Sequence, residues 1–269
     1  MRDAASNRWL RLAERLGYVV RGLLYGTMGV LAFGLALGIG GQGTDQRGSL
    51  LVLGGLPLGA VFLALAVTGL AAYSLWGLTR ALYDPLHAGS GPVGLAERAG
   101  FLWSGLTYGA LAVFGVQVLS GHSGTGGSGL SGPAAAFLAS PPGRLAAAIG
   151  GLIGLGAGAA QLVEVYRADF RRYLKRGRMT KAEREAVDTL GRYGMLARAV
   201  TFGLVGWFLL SAGLAGQPGR VRGFGGALAF LAGVRFGRLL LGVVSLGFIA
   251  LGLHSAGSAL WAKLEGDES

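Results

Sequence analysis

The chain has 269 residues, of which 52% are hydrophobic and only 14% charged, against about 25% charged in ordinary soluble proteins. Glycine supplies 52 residues, and Lys plus Arg outnumber Asp plus Glu by 24 to 13, a formal net charge of +11. This composition excludes an ordinary soluble domain, and the absence of cysteine excludes disulfides, thiolate metal sites and thiol nucleophiles.

The charges cluster between long uncharged stretches, so the basic excess points to a membrane surface rather than to nucleic acid. In chain order, residues 1–14 come first. Ala5, Trp9, Leu12 and Leu16 share one helical face, with Arg8, Arg11 and Arg15 elsewhere, which predicts an amphipathic interfacial segment. Residues 15–96 follow, with spans predicted at 18–39 and 57–78. Residues 97–178 carry spans at 100–119 and 145–163, and residues 179–269 carry spans at 194–215 and 238–260. Each stretch is long enough to cross a hydrocarbon core as a helix. Strand alternation is absent, so the expected fold is an all-α, six-helix transmembrane bundle. The first span is long for a secretory leader and lacks an Ala-x-Ala site, so we read it as retained.

The three segments repeat one pattern. Arg15-Leu16-Gly17-Tyr18 returns as Arg98-Ala99-Gly100-Phe101 and again as Arg192-Tyr193-Gly194-Met195. Gly48, Gly132 and Gly226 each begin a short apolar stretch, and Gly59, Gly143 and Gly237 open the second span of each segment. The short stretches predict helices too short to span, lying on the outer interface or folded into the hairpin mouth. The pattern predicts three parallel helical hairpins with approximate internal three-fold symmetry. Small-residue pairs at Gly22/Gly26, Gly105/Gly109 and Ala199/Gly203, and a face of Gly150, Gly154 and Gly158, predict close helix packing. A homo-oligomer through such a face is the alternative.

Orientation follows from Lys and Arg in the loops. The termini and inter-repeat linkers carry 18 of these residues, while the three hairpin loops carry six. Both termini are therefore expected in the cytoplasm. Trp9, Trp76, Trp103, Trp261, Tyr83, Tyr166 and Tyr193 gather at the same boundary, as an aromatic belt does. Thr180-Lys181-Ala182-Glu183 predicts a capped helix start before the fifth span.

The Arg-x-Gly-[Tyr/Phe] motif, Arg21-Gly22, the Gly-Ala-Leu-Ala-Phe-Leu-Ala run at 226–232 and Gly237-Arg238 resemble a bacterial membrane family, domain of unknown function 1206. The resemblance runs from about residue 14 to 263. It implies three tandem two-helix repeats in the bacterial cytoplasmic membrane and assigns no reaction. The second repeat departs most, with Ser104 in place of the second arginine and Pro133 in place of an alanine.

Candidate sites follow from charge at membrane depth. Arg15, Arg98 and Arg192 share a repeat position at the cytoplasmic ends of spans one, three and five. They would either form a basic ring or cap neighbouring helix ends. Arg21 and Arg198 lie one to two turns deeper, where charge is costlier. Helix-end carbonyls, Glu14, Glu97 and Glu164 are their expected partners. Arg171, Arg172 and Arg176 belong to a basic linker suited to anionic headgroups. Gln117, Gln161, Glu164 and His254 are the polar groups of the later spans. Glu164 is expected to pair with Arg167, and His254 to be a hydrogen-bonded packing residue. Gly38-x-Gly40-x-x-Gly43 and Gly124-x-Gly126-x-x-Gly129 match a dinucleotide fingerprint but lack the strand it needs. His87, His122 and His254 make no credible zinc set.

We therefore expect a non-enzymatic membrane protein without cofactors. Its partners would be anionic lipids or another membrane protein, and not nucleic acid. A channel or transporter path along the pseudo-three-fold axis is the alternative.

Overall fold

The computed structural model describes residues 2–41, 43–83, 91–122, 132–168, 171, 174–175, 177 and 179–261. Its side chains are described from residue 15 onward, outside 92–93, 96–97 and 132–134. Among these residues the structure is helical: α1 (Arg2–Leu37), α2 (Gln46–Gly54), α3 (Gly59–Tyr83), α4 (Pro92–Leu119), α5 (Gly132–Ala139), α6 (Pro141–Arg167), α7 (Lys181–Ala215), α8 (Phe224–Gly233) and α9 (Gly237–Trp261). Six of them, α1, α3, α4, α6, α7 and α9, are long and apolar enough to cross a membrane.

Local chemistry sets the ends. Thr180 caps α7, accepting from the Glu183 backbone N–H while the Glu183 carboxylate accepts from the Thr180 N–H; each satisfies an orphan donor of the other. Ser140 caps α6, with Pro141 opening it, a position where a missing N–H costs nothing. Gly216, at φ 63°, ends α7, its N–H reaching the carbonyls of Ala212 and Gly213.

Two boundaries differ from the sequence reading. Residues 2–14 do not form a separate element but are the first turns of α1, and the capped start at Lys181 runs unbroken into the fifth span. Neither stretch contains proline, and isolated glycines cost only about 1 kcal/mol each in a helix. Nothing there forces a break.

The helices join in a definite order. α1 packs chiefly against α9, α4 against α3 and α7 against α6; α7 also meets α9, and α1 meets α3. α4 and α6 share no comparable contact, and they are the least buried of the six spans. One apolar core, with Met28, Leu228, Leu241 and Phe248, joins α1, α8 and α9. A second, with Leu24, Leu50, Leu63 and Leu70, joins α1, α2, α3 and α4. The short helices α2 and α8 are thus folded into the bundle, with Leu50 and Leu228 fully buried, whereas α5 contacts α6 and the short 3-10 turn at Pro218–Arg220.

α3, α6 and α9 start in the same way. A Cβ on Gly59 would run into the carbonyls of Gly54 and Leu53, one on Gly143 into that of Phe137, and one on Gly237 into that of Leu231. Only glycine lets the chain turn this tightly against the short helix. The residues before Gly59 and Gly237, Leu58 and Phe236, sit in the left-handed region at φ 62° and 60°, while Gly143 follows Pro142, which cannot enter that region.

Close backbone approach also recurs between spans. A Cβ on Gly22 would lie 2.9 Å from the Gly252 carbonyl, and one on Gly206 would lie 2.6 Å from the Leu155 nitrogen. On α6 the contact face is Gly151, Gly154 and Gly158; a Cβ on Gly150 meets nothing within 4 Å. The sequence reading chose Gly150 from the i, i+4, i+8 spacing, and the true face is rotated toward Gly151.

Candidate functional site

Two arginines enter the interior from different helices, Arg21 from α1 and Arg198 from α7. Arg21 lies six residues into its span from Arg15, and Arg198 six residues beyond Arg192, each about 9 Å deeper along the helix. Their guanidinium carbons stand 5.6 Å and 5.9 Å from the ring centre of one tyrosine, Tyr25. Arg198 also lies 5.5 Å from the ring of Phe202. Cation–π contacts are worth about 0.5–2 kcal/mol, the more so when desolvated. That offsets part of the roughly 2.5–3.5 kcal/mol that an arginine costs at mid-membrane.

The aromatic residues are held from behind. Tyr25 stacks on Phe248 of α9 with ring centres 6.0 Å apart. Tyr108 of α4 meets Tyr73 of α3 edge-on at 4.7 Å, and Phe202 meets Phe224 of α8 edge-on at 5.1 Å. The side chains of Arg21 and Gln46 lie close to the Tyr25 hydroxyl, and Tyr108 lies within the electrostatic reach of both arginines. The centre is therefore two arginines and three tyrosines drawn from α1, α3, α4 and α7, with Gln46 of α2 beside them.

Among the described residues no carboxylate bridges to Arg21 or Arg198, and the Nε of each is buried without an acceptor. Among the described residues, their neighbours are aromatic faces rather than Glu164. Glu164 accepts from Gln161 Nε2 at 3.5 Å instead of pairing with Arg167; at the carboxyl end of α6, Gln161 shares its helical face. The Glu14 and Glu97 side chains lie outside the described residues.

The outer arginines are used differently. Arg98 donates from Nε to the Ala81 carbonyl at 2.9 Å and from Nη2 to the Leu82 carbonyl at 3.3 Å, capping the carboxyl end of α3. Arg15 and Arg192 are exposed. Arg192 borders a groove with Arg171, Glu185, Asp188 and Thr189, in which Arg171 binds Asp188 at 2.8 Å. Arg172 and Arg176 lie outside the described residues.

His254 is buried, and its Nδ1–H donates to the Val187 carbonyl at 3.0 Å, tying α9 to α7. Gln117 is exposed near the other end of α4. Among the described residues no group of three His, Cys, Asp or Glu side chains could hold a metal ion.

Sequence reasoning singled out Arg21 and Arg198 but missed the tyrosines. Their signal was present: Tyr25, Tyr108 and Phe202 each follow the Arg21, Ser104 and Arg198 position by four residues, one helical turn on the same face.

These features define a polytopic, all-helical membrane protein. The family model described as "Domain of Unknown Function (DUF1206)" matches residues 16–84 and again residues 193–262, and the chain belongs to that family. It is similar to "Uncharacterized protein YxxB" of Bacillus subtilis (strain 168), with 32% identity over 247 residues, covering 92% of this chain and 89% of the relative. No solved structure matches it.

Proposed function

We propose that this is a non-enzymatic protein of the bacterial cytoplasmic membrane that binds an anionic lipid in its interior, between Arg21 and Arg198. The carrying observation is the arginine pair on Tyr25 with no carboxylate bridged to it among the described residues. Two like charges at membrane depth repel each other and lack hydration. An anion placed between them relieves both costs, and arginine matches phosphate geometry with two parallel donors.

The scaffold is read as three parallel hairpins around a pseudo-three-fold axis. Supporting this, each repeat's first spanning helix packs on the second spanning helix of the preceding repeat, taken cyclically: α4 on α3, α7 on α6, α1 on α9. The glycine approach at the start of α3, α6 and α9 recurs at equivalent positions, and the family model matches the first and third repeats separately. The excess of basic residues at the linker end supports both termini being cytoplasmic.

A thermal-unfolding assay in detergent tests the proposal. A ligand that binds only the folded state raises apparent stability by about 2.7 kcal/mol at a hundred times its Kd. Phosphatidylglycerol should raise the transition temperature of the parent and leave that of Arg198→Gln unmoved. Equal shifts in both would refute the site.

A further inference from the structure

We infer that the lipid enters sideways, through the seam between α4 and α6, with its phosphate at the arginine pair and its acyl chains lying in the seam. This rests on the interior-site reading above and names the ligand class and its route.

The six spans are joined on every side except one: α4 and α6 make no extensive contact. The walls of that seam are distinctive. On α4, Ser104 and Tyr108 lie one turn apart on one half-exposed face, which leads through Tyr108 to Tyr73 and the tyrosine centre. On α6, Gly150, Ala157 and Gln161 form a second half-exposed stripe beside the α7 contact face, with open space at Gly150. The outward residues Leu152 and Ile153 are far more exposed, at 59% and 67%.

Ser104 stands at the repeat position that Arg21 and Arg198 occupy elsewhere. An arginine there would be bulkier and add a third charge; serine is small and offers a hydroxyl donor one turn from Tyr108, which lies within the electrostatic reach of both arginines. A gap at hydrocarbon depth fills with apolar material, while two arginines on one ring favour an anion beside them. A phospholipid supplies both in one molecule, and free phosphate supplies only the second.

The test uses the full chain in nanodiscs containing phosphatidylglycerol with a diazirine in its acyl chain, followed by photolysis and peptide mapping. Adducts are expected on the Ser104–Tyr108 face of α4 and the Gly150–Gln161 stripe of α6. Ala157→Trp, which fills the seam, should reduce them at least fivefold, while Leu152→Trp on the outer face should not. Adducts confined to outer-face residues, or undiminished by Ala157→Trp, would overturn the seam. Protection of the stripes by inorganic phosphate as complete as by unlabelled lipid would overturn the choice of lipid. If the parent gains stability from phosphatidylglycerol and Arg198→Gln does not, a failed seam leaves the interior site standing; if neither gains, both readings fall.

Discussion

Arg21 and Arg198, 177 positions apart in the chain, place their guanidinium groups on the ring of the same residue, Tyr25. α1 and α7 thereby meet through a shared aromatic face. Tyr25 is itself 6% exposed and backed by Phe248, so the core fixes the ring that the two arginines share.

Tyr25 is accordingly expected to hold stability as well as position. Tyr25→Ala should cost about 3–5 kcal/mol, the range for removing a buried aromatic. Tyr25→Phe keeps the ring and should cost about 1 kcal/mol, the worth of an ordinary hydrogen bond. Chemical unfolding in detergent compares the two. Equal losses would mean that the hydroxyl, and not the ring, holds the arginines.

Adjacent glycines on α6 should behave oppositely. A Cβ on Gly151 would lie 2.4 Å from the Leu210 nitrogen, whereas one on Gly150 meets nothing within 4 Å. Gly151→Leu is expected to lower stability by about 1–3 kcal/mol or more through overpacking, and Gly150→Leu to leave the unfolding temperature within error. The reverse order would place α6 a residue out of register.

The tight hairpin starts predict a third result. Because the Leu231 carbonyl abuts Gly237, Gly237→Val should destabilise markedly. Phe236→Gly should be neutral or stabilising by up to about 1 kcal/mol, since it removes a bulky residue from the left-handed region at φ 60°. Thermal scans of both variants check this; a stable Gly237→Val would show that the turn can open freely.

Topology is checked with reporter fusions. The linker-side excess of Lys and Arg predicts a fluorescent, phosphatase-inactive fusion at the C-terminus. Phosphatase activity there would invert the protein, placing the Arg21–Arg198 centre nearer the outer leaflet.

The elements of the fold were legible in sequence because their signals are local. Uncharged stretches mark the spans, Thr180 and Glu183 mark the start of α7, and Gly48 and Gly226 mark helices too short to cross. Pairing across the bundle was not legible. The rotation of α6 that chooses Gly151 over Gly150 depends on the shape of α7, which no spacing rule contains. The arginines were visible from their depth, but their aromatic partners were not. Sequence reasoning looked for helix-end carbonyls and carboxylates, and among the described residues Arg21 and Arg198 meet the face of Tyr25, with Phe202 beside Arg198. Glu164 looked like a partner for Arg167 by spacing alone, yet Gln161 lies on the same face and bonds it.

The central claim is that the paired arginines hold a lipid phosphate, and native mass spectrometry from mixed phosphatidylglycerol and phosphatidylcholine nanodiscs tests it most directly. The account predicts that the parent retains one phosphatidylglycerol after the detergent-like adducts are stripped. It predicts that Arg21→Gln/Arg198→Gln, still folded by its unfolding curve, retains none. Equal retention by the folded double variant, or retention of phosphatidylcholine as readily by the parent, would contradict it.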